Sequence, residues 1–324
     1  MRGCDVLSDA LEYALAQIGG AKMPVAALNA TGHEPQEWVK QSNHACNKLQ
    51  STINGVFSTV LVRATRQIDQ TLGLIAVATR LSAPNGTILV AQENTHGATG
   101  LEKKVKEACP TLSTVIKYKC RVLILPSNEV ENAKIGVWEA KSGVQKHLQT
   151  GFWTCPGLFS WDRPDPASQL LLAHLPPTLG DIGADLGCGY GYLTTHLAKM
   201  KGVKAIFAMD DDQKAVECCQ KNMESMQNTP EFHILWRDAT QNHPDIPPLD
   251  FIVMNPPFHD QQHENRELGQ KFCNSAMKML KSGGMLYLVA NRHMPYEAIL
   301  EKAARKVTLL ADVNGFKVLA TEAT

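Results

Sequence analysis

The chain has 324 residues, 44% of them hydrophobic and 20% charged, which excludes a disordered or collagen-like polypeptide and leaves room for two domains of ordinary size. Lys and Arg number 32, as do Asp and Glu, so no overall positive charge advertises a nucleic-acid partner. The halves differ, however: residues 1–150 carry 16 basic and 12 acidic side chains, residues 151–324 carry 16 and 20.

The start of the chain carries Asp5, Asp9 and Glu12 and does not read as a secretory signal. No apolar run reaches membrane-spanning length. The nine cysteines contain no C-x-x-C pair, which argues against a zinc site and for the reduced thiols of a cytosolic protein; no metal is expected.

In the first half, Val60–Arg63, the Pro84-Asn85-Gly86 turn with the strand to Val90, and Lys119–Leu123 read as strands and turns. The basic residues Lys103, Lys104, Lys106, Lys117, Lys119 and Arg121 form either a phosphate-binding patch or a solvated helix face and strand edge. Gly151 to Ala167 then joins the halves. It holds Phe152, Trp153, Phe159 and Trp161 among prolines and glycines, more large apolar groups than a free linker needs. It is expected to pack on the following domain and cover part of its ligand crevice.

The second half alternates strands and helices. Strands are expected at 182–186, 205–209, 232–236, 251–254 and 285–290, helices at 192–200, 213–226 and 265–280, and a terminal hairpin turns at Asn314-Gly315. The alternation predicts a parallel, doubly wound α/β sheet. Three segments of the first half repeat the second in order: Val60–Arg63 echoes Ile252–Asn255, Pro84–Val90 echoes Ser282–Leu288, and Lys119–Leu123 echoes Gly315–Leu319. Duplication is the reading. The first copy has no glycine-rich loop and carries Arg63-Ala64-Thr65-Arg66 where the second has Asn255-Pro256-Pro257-Phe258, so it is expected to be catalytically dead.

Two motifs carry chemistry. Asp185-Leu186-Gly187-Cys188-Gly189-Tyr190-Gly191 leaves a strand and opens a helix. Glycines let backbone turn sharply and approach a ligand. Their spacing after a carboxylate differs from the G-x-G-x-x-G of a pyrophosphate site. It suits S-adenosylmethionine (SAM), which carries an ammonium, a sulfonium and a carboxylate but no phosphate. Asp210 ends the next strand, where a carboxylate can accept both ribose hydroxyls, and Asp211 or Asp212 caps the helix that follows. Asp238, after the next strand, is a candidate acceptor for the adenine amine, or else a turn carboxylate.

The second motif is Asn255-Pro256-Pro257-Phe258. Two prolines fix the path and remove two backbone donors. The Asn255 oxygen and a proline carbonyl can then converge on an NH2 group, hold it in line with a methyl donor, and stabilise the positive charge that grows on nitrogen. Phe258 offers a face to a planar base, and His259 and Asp260 follow as candidates to orient it, or as loop residues. Asn291 and Arg292 are candidates for the substrate mouth.

Gly157-Leu158-Phe159-Ser160, Asp165 to Leu172, Asp185 to Gly191, Asn255 to Asp260, Gly283-Gly284 and Gly315 to Val318, in that order, resemble the ribosomal RNA guanine-N2 methyltransferases, with most likeness to the small-subunit (16S) enzymes. Val90 to Asn94 with Gly97 extends the resemblance into the first half. It implies two tandem Rossmann-like methyltransferase domains, the first degenerate and serving RNA binding or folding (residues 1–147), the second catalytic (residues 148–324). It implies that Asp185, Gly187, Gly189 and Asp210 hold SAM, to which the motif reading adds Gly191 and Asp238. Asn255, Pro256, Pro257 and Phe258 would then hold the guanine, and the motif reading adds His259 as a substrate-binding candidate. The implied partner is ribosomal RNA within a small subunit or its assembly intermediate, met by a monomer. Ala167 and Trp161 depart from the family pattern, and the first 55 residues match it poorly. Large-subunit guanine, adenine-N6 and glutamine-N5 methylation use similar Asn-Pro-Pro motifs and stand as alternatives, as does a non-enzymatic RNA assembly factor.

Overall fold

The computed structural model describes residues 25–28, 57–257, 264–302 and 304–324. The chain falls into two units, Met1–Gly143 and Val144–Thr324. Phe258, His259, Asp260 and His263 lie outside the described residues.

The first unit contains strands β1 (Val25–Leu28), β2 (Phe57–Arg63), β3 (Ser82–Glu93), β4 (Ser113–Lys117) and β5 (Cys120–Pro126) and helices α1 (Ile68–Leu81), α2 (Ala98–Lys106) and α3 (Asn132–Ser142). The sheet order is β1-β2-β3-β5-β4, parallel through the first three strands and antiparallel from β3 to β5 and from β5 to β4. The core gathers Val60 and Val62 of β2, Ile88 and Val90 of β3, and Leu72, Ile75 and Trp138 of α1 and α3.

The second unit opens with a short hairpin, β6 (Gln145–Lys146) and β7 (Trp153–Thr154), and helix α4 (Pro166–Ala173). The elements β8 (Ile182–Leu186), α5 (Tyr192–Leu197), β9 (Ala205–Asp210), α6 (Gln213–Glu224), β10 (Glu231–Trp236), β11 (Leu249–Met254), α7 (Glu264–Met279), β12 (Leu280–Asn291), α8 (Tyr296–Leu300), β13 (Ala304–Val313) and β14 (Phe316–Ala323) follow. The sheet order is β10-β9-β8-β11-β12-β14-β13. Successive strand side chains point to opposite faces, so two cores form. Ala184, Leu186, Met209, Ile252 and Met254 meet α7 and α8 on one face, and Ile206, Ala208, Phe251 and Val253 meet α4, α5 and α6 on the other. Central strands buried on both faces explain the nearly unbroken apolar runs of β8, β9 and β11.

The doubly wound plan expected from the sequence is present, with one correction. The sheet is mixed, not wholly parallel: β14 runs antiparallel to β12 and β13. The terminal hairpin forces the antiparallel pairing of β13 and β14, because a two-residue connection cannot return a strand parallel to its partner. Helix α4 was not anticipated. Its start is signalled by Asp165-Pro166, a cap residue followed by proline at the first helical position, and the Asp165 carboxylate accepts the Ser168 amide at 2.8 Å.

Strand order β1-β2-β3-β5-β4 of the first unit reproduces β8-β11-β12-β14-β13 of the second, direction for direction. The match extends to irregularities. The register of β2 on β3 slips between Phe57 and Thr59, and that of β11 on β12 slips between Leu249 and Phe251. At each slip a glycine faces the partner's carbonyl: a Cβ on Gly86 would stand 3.1 Å from the Phe57 oxygen, and one on Gly284 2.8 Å from that of Leu249. Both hairpins turn on two residues of positive φ, Tyr118-Lys119 (51° and 60°) and Asn314-Gly315 (51° and 82°), the geometry that matches strand twist. The turn carbonyls also accept equivalent amides: Asn94 N–H reaches Lys119 at 2.9 Å and Arg292 N–H reaches Gly315 at 2.8 Å. Among the described residues, the first unit has no strands corresponding to β9 and β10.

Candidate active site

The carboxyl ends of β8, β9 and β11 bring three polar side chains to the α4–α5–α6 face of the sheet, because strand alternation sends Asp185, Asp210 and Asn255 the same way. This edge is where open α/β sheets receive ligands.

The loop after β8 turns through Gly187, Gly189 and Gly191, with φ of 76°, 54° and 89°. All three lie in the region that favours glycine. The Gly187 and Cys188 amides both donate to the Met209 carbonyl at 2.9 Å, tying the loop to the end of β9. Gly191 is required twice over, since a Cβ there would stand 2.7 Å from Cys219 Sγ. At Gly189 a Cβ would meet nothing within 4 Å, so the loop backbone there faces open space.

Asp185 is fully buried. Its Oδ2 accepts from Thr194 Oγ1 at 2.6 Å, while Oδ1 is buried without a partner. Burial pushes its carboxyl up to about 7, against the lowering effect of the Thr194 bonds. Asp210 Oδ2 accepts the Gly189 amide at 2.8 Å and Oδ1 accepts the Asp212 amide at 2.9 Å; burial raises its carboxyl to about 6. Asp210 therefore braces the glycine loop, and each oxygen keeps a further lone pair for a donor such as a ribose hydroxyl. Asp212 caps α6, accepting the Lys214 amide at 2.8 Å. Asp238 is engaged within its own turn: Oδ1 accepts from the Thr240 amide and hydroxyl, Oδ2 from Gln241.

The residues fit SAM on two counts of their own chemistry. An orphaned buried carboxylate oxygen at Asp185 matches an ammonium donor, and the bare backbone at Gly189 leaves room for close approach.

Asn255 follows β11. Its Nδ2 donates to Asp165 Oδ2 at 2.9 Å and approaches Ser168 Oγ at 2.9 Å. A carboxylate only accepts, so the amide orientation is fixed by chemistry. Its Oδ1 is left buried with no donor. Asp165 and Ser168 are contacts of Asn255 that motif reasoning did not single out; the Asp-Pro helix start was the available signal. Pro256 and Pro257 carry the chain away from the sheet. In the first unit the residue matching Pro256 is Ala64, whose amide donates to Ala91 at 2.9 Å and extends the pairing by one residue. Proline has no N–H to do this, and β11 ends one residue earlier than β2 does.

The segment joining the units packs on this site. Asn222 of α6 exchanges hydrogen bonds with the Trp153 backbone at 2.7 and 2.8 Å and donates to the Tyr190 carbonyl at 2.8 Å. Phe152 meets the rings of Tyr190 and Tyr192 at 5.5 and 5.8 Å, and Cys155 and Leu158 pack with Tyr190 and Cys218. Arg292 pairs with Asp312. Among the described residues no helix is long and apolar enough to cross a membrane.

Comparison with known proteins identifies the family of the chain. Residues 149–320 match the profile of the methyltransferase small domain. A protein of Shewanella loihica named ribosomal RNA small subunit methyltransferase C is 26% identical over 324 residues, covering 98% of this chain and 91% of the relative. Its namesake in Shewanella sediminis is 29% identical over 241 residues, 72% of this chain and 68% of the relative. The solved structure of the T. thermophilus 16S rRNA N2 G1207 methyltransferase, in complex with AdoMet and guanosine, superposes with a TM-score of 0.74 at 24% identity, covering 99% of this chain and 93% of that one. That likeness shows the two-unit Rossmann-like fold. With the family profile spanning the glycine loop and the Asn-Pro-Pro motif alike, the chain belongs to the methyltransferase small-domain family and is a SAM-dependent methyltransferase.

Proposed function

We propose that this enzyme methylates the exocyclic N2 amine of a guanine in 16S ribosomal RNA, by direct transfer to an amine held at Asn255. The observation that carries the reading is Asn255 Oδ1, a buried acceptor without a donor, its amide nitrogen already spent on Asp165 and Ser168. A buried unpaired acceptor costs about 1–3 kcal/mol, and an NH2 group is the partner that relieves it. The small-subunit rRNA names of the relatives supply the acceptor molecule, and the guanosine in the T. thermophilus complex supplies the base.

Asp185, Gly187, Gly189 and Asp210 would hold the cofactor, with Asp238 and Gly191 supporting it. Bound there, SAM supplies an electrophilic methyl group on a sulfonium. Asn255 Oδ1 accepts one N–H of the guanine amine, which fixes the direction of the nitrogen lone pair. The same oxygen stabilises the positive charge that develops on nitrogen as the bond to carbon forms. The surplus proton then leaves to solvent or to the segment after Pro257. No covalent enzyme intermediate is needed. The Pro256 and Pro257 carbonyls would complete the base pocket, and Phe258 and His259 remain candidates from the sequence alone.

The first unit takes no part in chemistry on this reading. It has Arg63 at the position of Asn255, and among its described residues nothing corresponds to β9, the strand that supplies Asp210. Its role is to contact RNA or support folding.

The test uses labelled SAM with naked 16S rRNA, separated small and large subunits, release factor and DNA. Label in 16S rRNA or the small subunit, mapping to guanine N2, is expected; label confined to the large subunit, release factor or DNA overturns the reading. Asn255→Ala should lower kcat by at least about 100-fold and leave SAM affinity within about threefold. Parental turnover in that variant would remove Asn255 from the mechanism.

A further inference from the structure

We propose that Asp165 and Ser168 are positioning residues that set the carbonyl of Asn255 toward the acceptor amine and strengthen it as an acceptor. The inference rests on the reading of Asn255 as the residue that holds that amine.

The geometry is specific. Asp165 Oδ2 accepts both the Ser168 amide at 2.8 Å and Asn255 Nδ2 at 2.9 Å, and Ser168 Oγ stands 2.9 Å from the same nitrogen. One carboxylate oxygen thus starts helix α4 and aims a side chain 90 residues away in sequence. Both hydrogens of the Asn255 amide are used, so the side chain cannot rotate to present nitrogen to a ligand without breaking a charge-assisted bond. Ser168 is itself buried, which fixes its hydroxyl on the spot.

Charge adds to orientation. A carboxylate that accepts from an amide N–H draws positive character onto nitrogen and increases electron density on the amide oxygen, as in any hydrogen-bond chain. Asn255 Oδ1 then becomes a better acceptor as the guanine nitrogen turns positive. The formal negative charge of Asp165, one amide removed, favours the same change. A residue that merely capped α4 would need neither the contact with Asn255 nor a charge, since asparagine caps helices as well as aspartate does.

That difference defines the experiment on the full-length protein, with the small subunit as substrate. Asp165→Asn keeps a cap and an acceptor but removes the charge, and Ser168→Ala removes the second bond. Each should lower kcat by about tenfold with SAM affinity and thermal midpoint near parental. Asn255→Asp places two carboxylates face to face and should be nearly inactive. Asp165→Asn combined with Asn255→Asp relieves the repulsion and can offer the new amide nitrogen at position 165 to the new carboxylate at position 255, at the cost of the α4 cap on the same atom, and should exceed Asn255→Asp alone by at least about tenfold. Parental kcat in both Asp165→Asn and Ser168→Ala, or strictly additive losses in the double variant, overturns the inference while an inactive Asn255→Ala keeps the role of Asn255 intact. If Asn255→Ala itself turns over normally, the reading of Asn255 fails first and this inference with it.

Discussion

On its proposed role, Asp185 would link cofactor affinity to pH through one buried group. Its carboxyl stands at about 7 because burial disfavours its charge. An ammonium donor at the free Oδ1 requires the charged form. SAM affinity should therefore rise with pH through about 7 and fall by up to about tenfold per unit below it. Asp210, at about 6, acts in the same direction. Calorimetric titration between about pH 5.5 and 8.5 checks this, with Asp185→Asn expected to bind weakly and without the pH dependence. A flat profile in the parental protein contradicts the assignment. The ligand-free fold responds with the opposite sign. The folded carboxyl lies above its ordinary 3.8, so Asp185 favours folding fully below about 3.8 and that contribution is lost as pH rises through about 7.

At the scale of elements, the glycine loop separates two uses of the same residue type. Gly191 has φ of 89° and no room for a Cβ beside Cys219, so Gly191→Ala should cost about 2–4 kcal/mol of folding stability by urea denaturation. Gly189 has φ of 54° and open space, so Gly189→Ala should cost only about 1 kcal/mol yet weaken SAM binding at least as much as Gly191→Ala does, because its methyl enters the approach path. Equal stability losses with unchanged affinity would show that Gly189 serves the turn alone. The sequence made this loop visible because strand, glycines and helix are contiguous. Helix α4 was as strongly encoded locally, by Asp165-Pro166, but its eight residues are short for a periodicity argument and its partner Asn255 is remote in sequence.

At the scale of the molecule, the two units share a sheet order, a slipped register and a hairpin turn while sharing few residue identities. Among the described residues the shared plan does not extend to β9, and the sequence of the first half has no glycine-rich loop. Calorimetry of the intact chain should accordingly titrate to one SAM per protein. A stoichiometry of two would show that the first unit binds cofactor after all, and would remove the case for its inertness.

What lies close together along the chain was readable from the sequence: the strand–loop–helix at Asp185, the proline exit at Asn255, the cap of α6 at Asp211 or Asp212, and the order of elements that announces a doubly wound sheet. These depend on backbone chemistry within a few residues. What the tertiary structure decided depends on groups distant in sequence and adjacent in space. The antiparallel end of the sheet, the burial that lifts Asp185 to about 7, the hold of Asp165 and Ser168 on Asn255, and the bracing of Gly189 by Asp210 are of this kind. Charge, hydrogen-bond direction and desolvation act through space over a few ångströms, and only the folded chain sets which groups lie within that range.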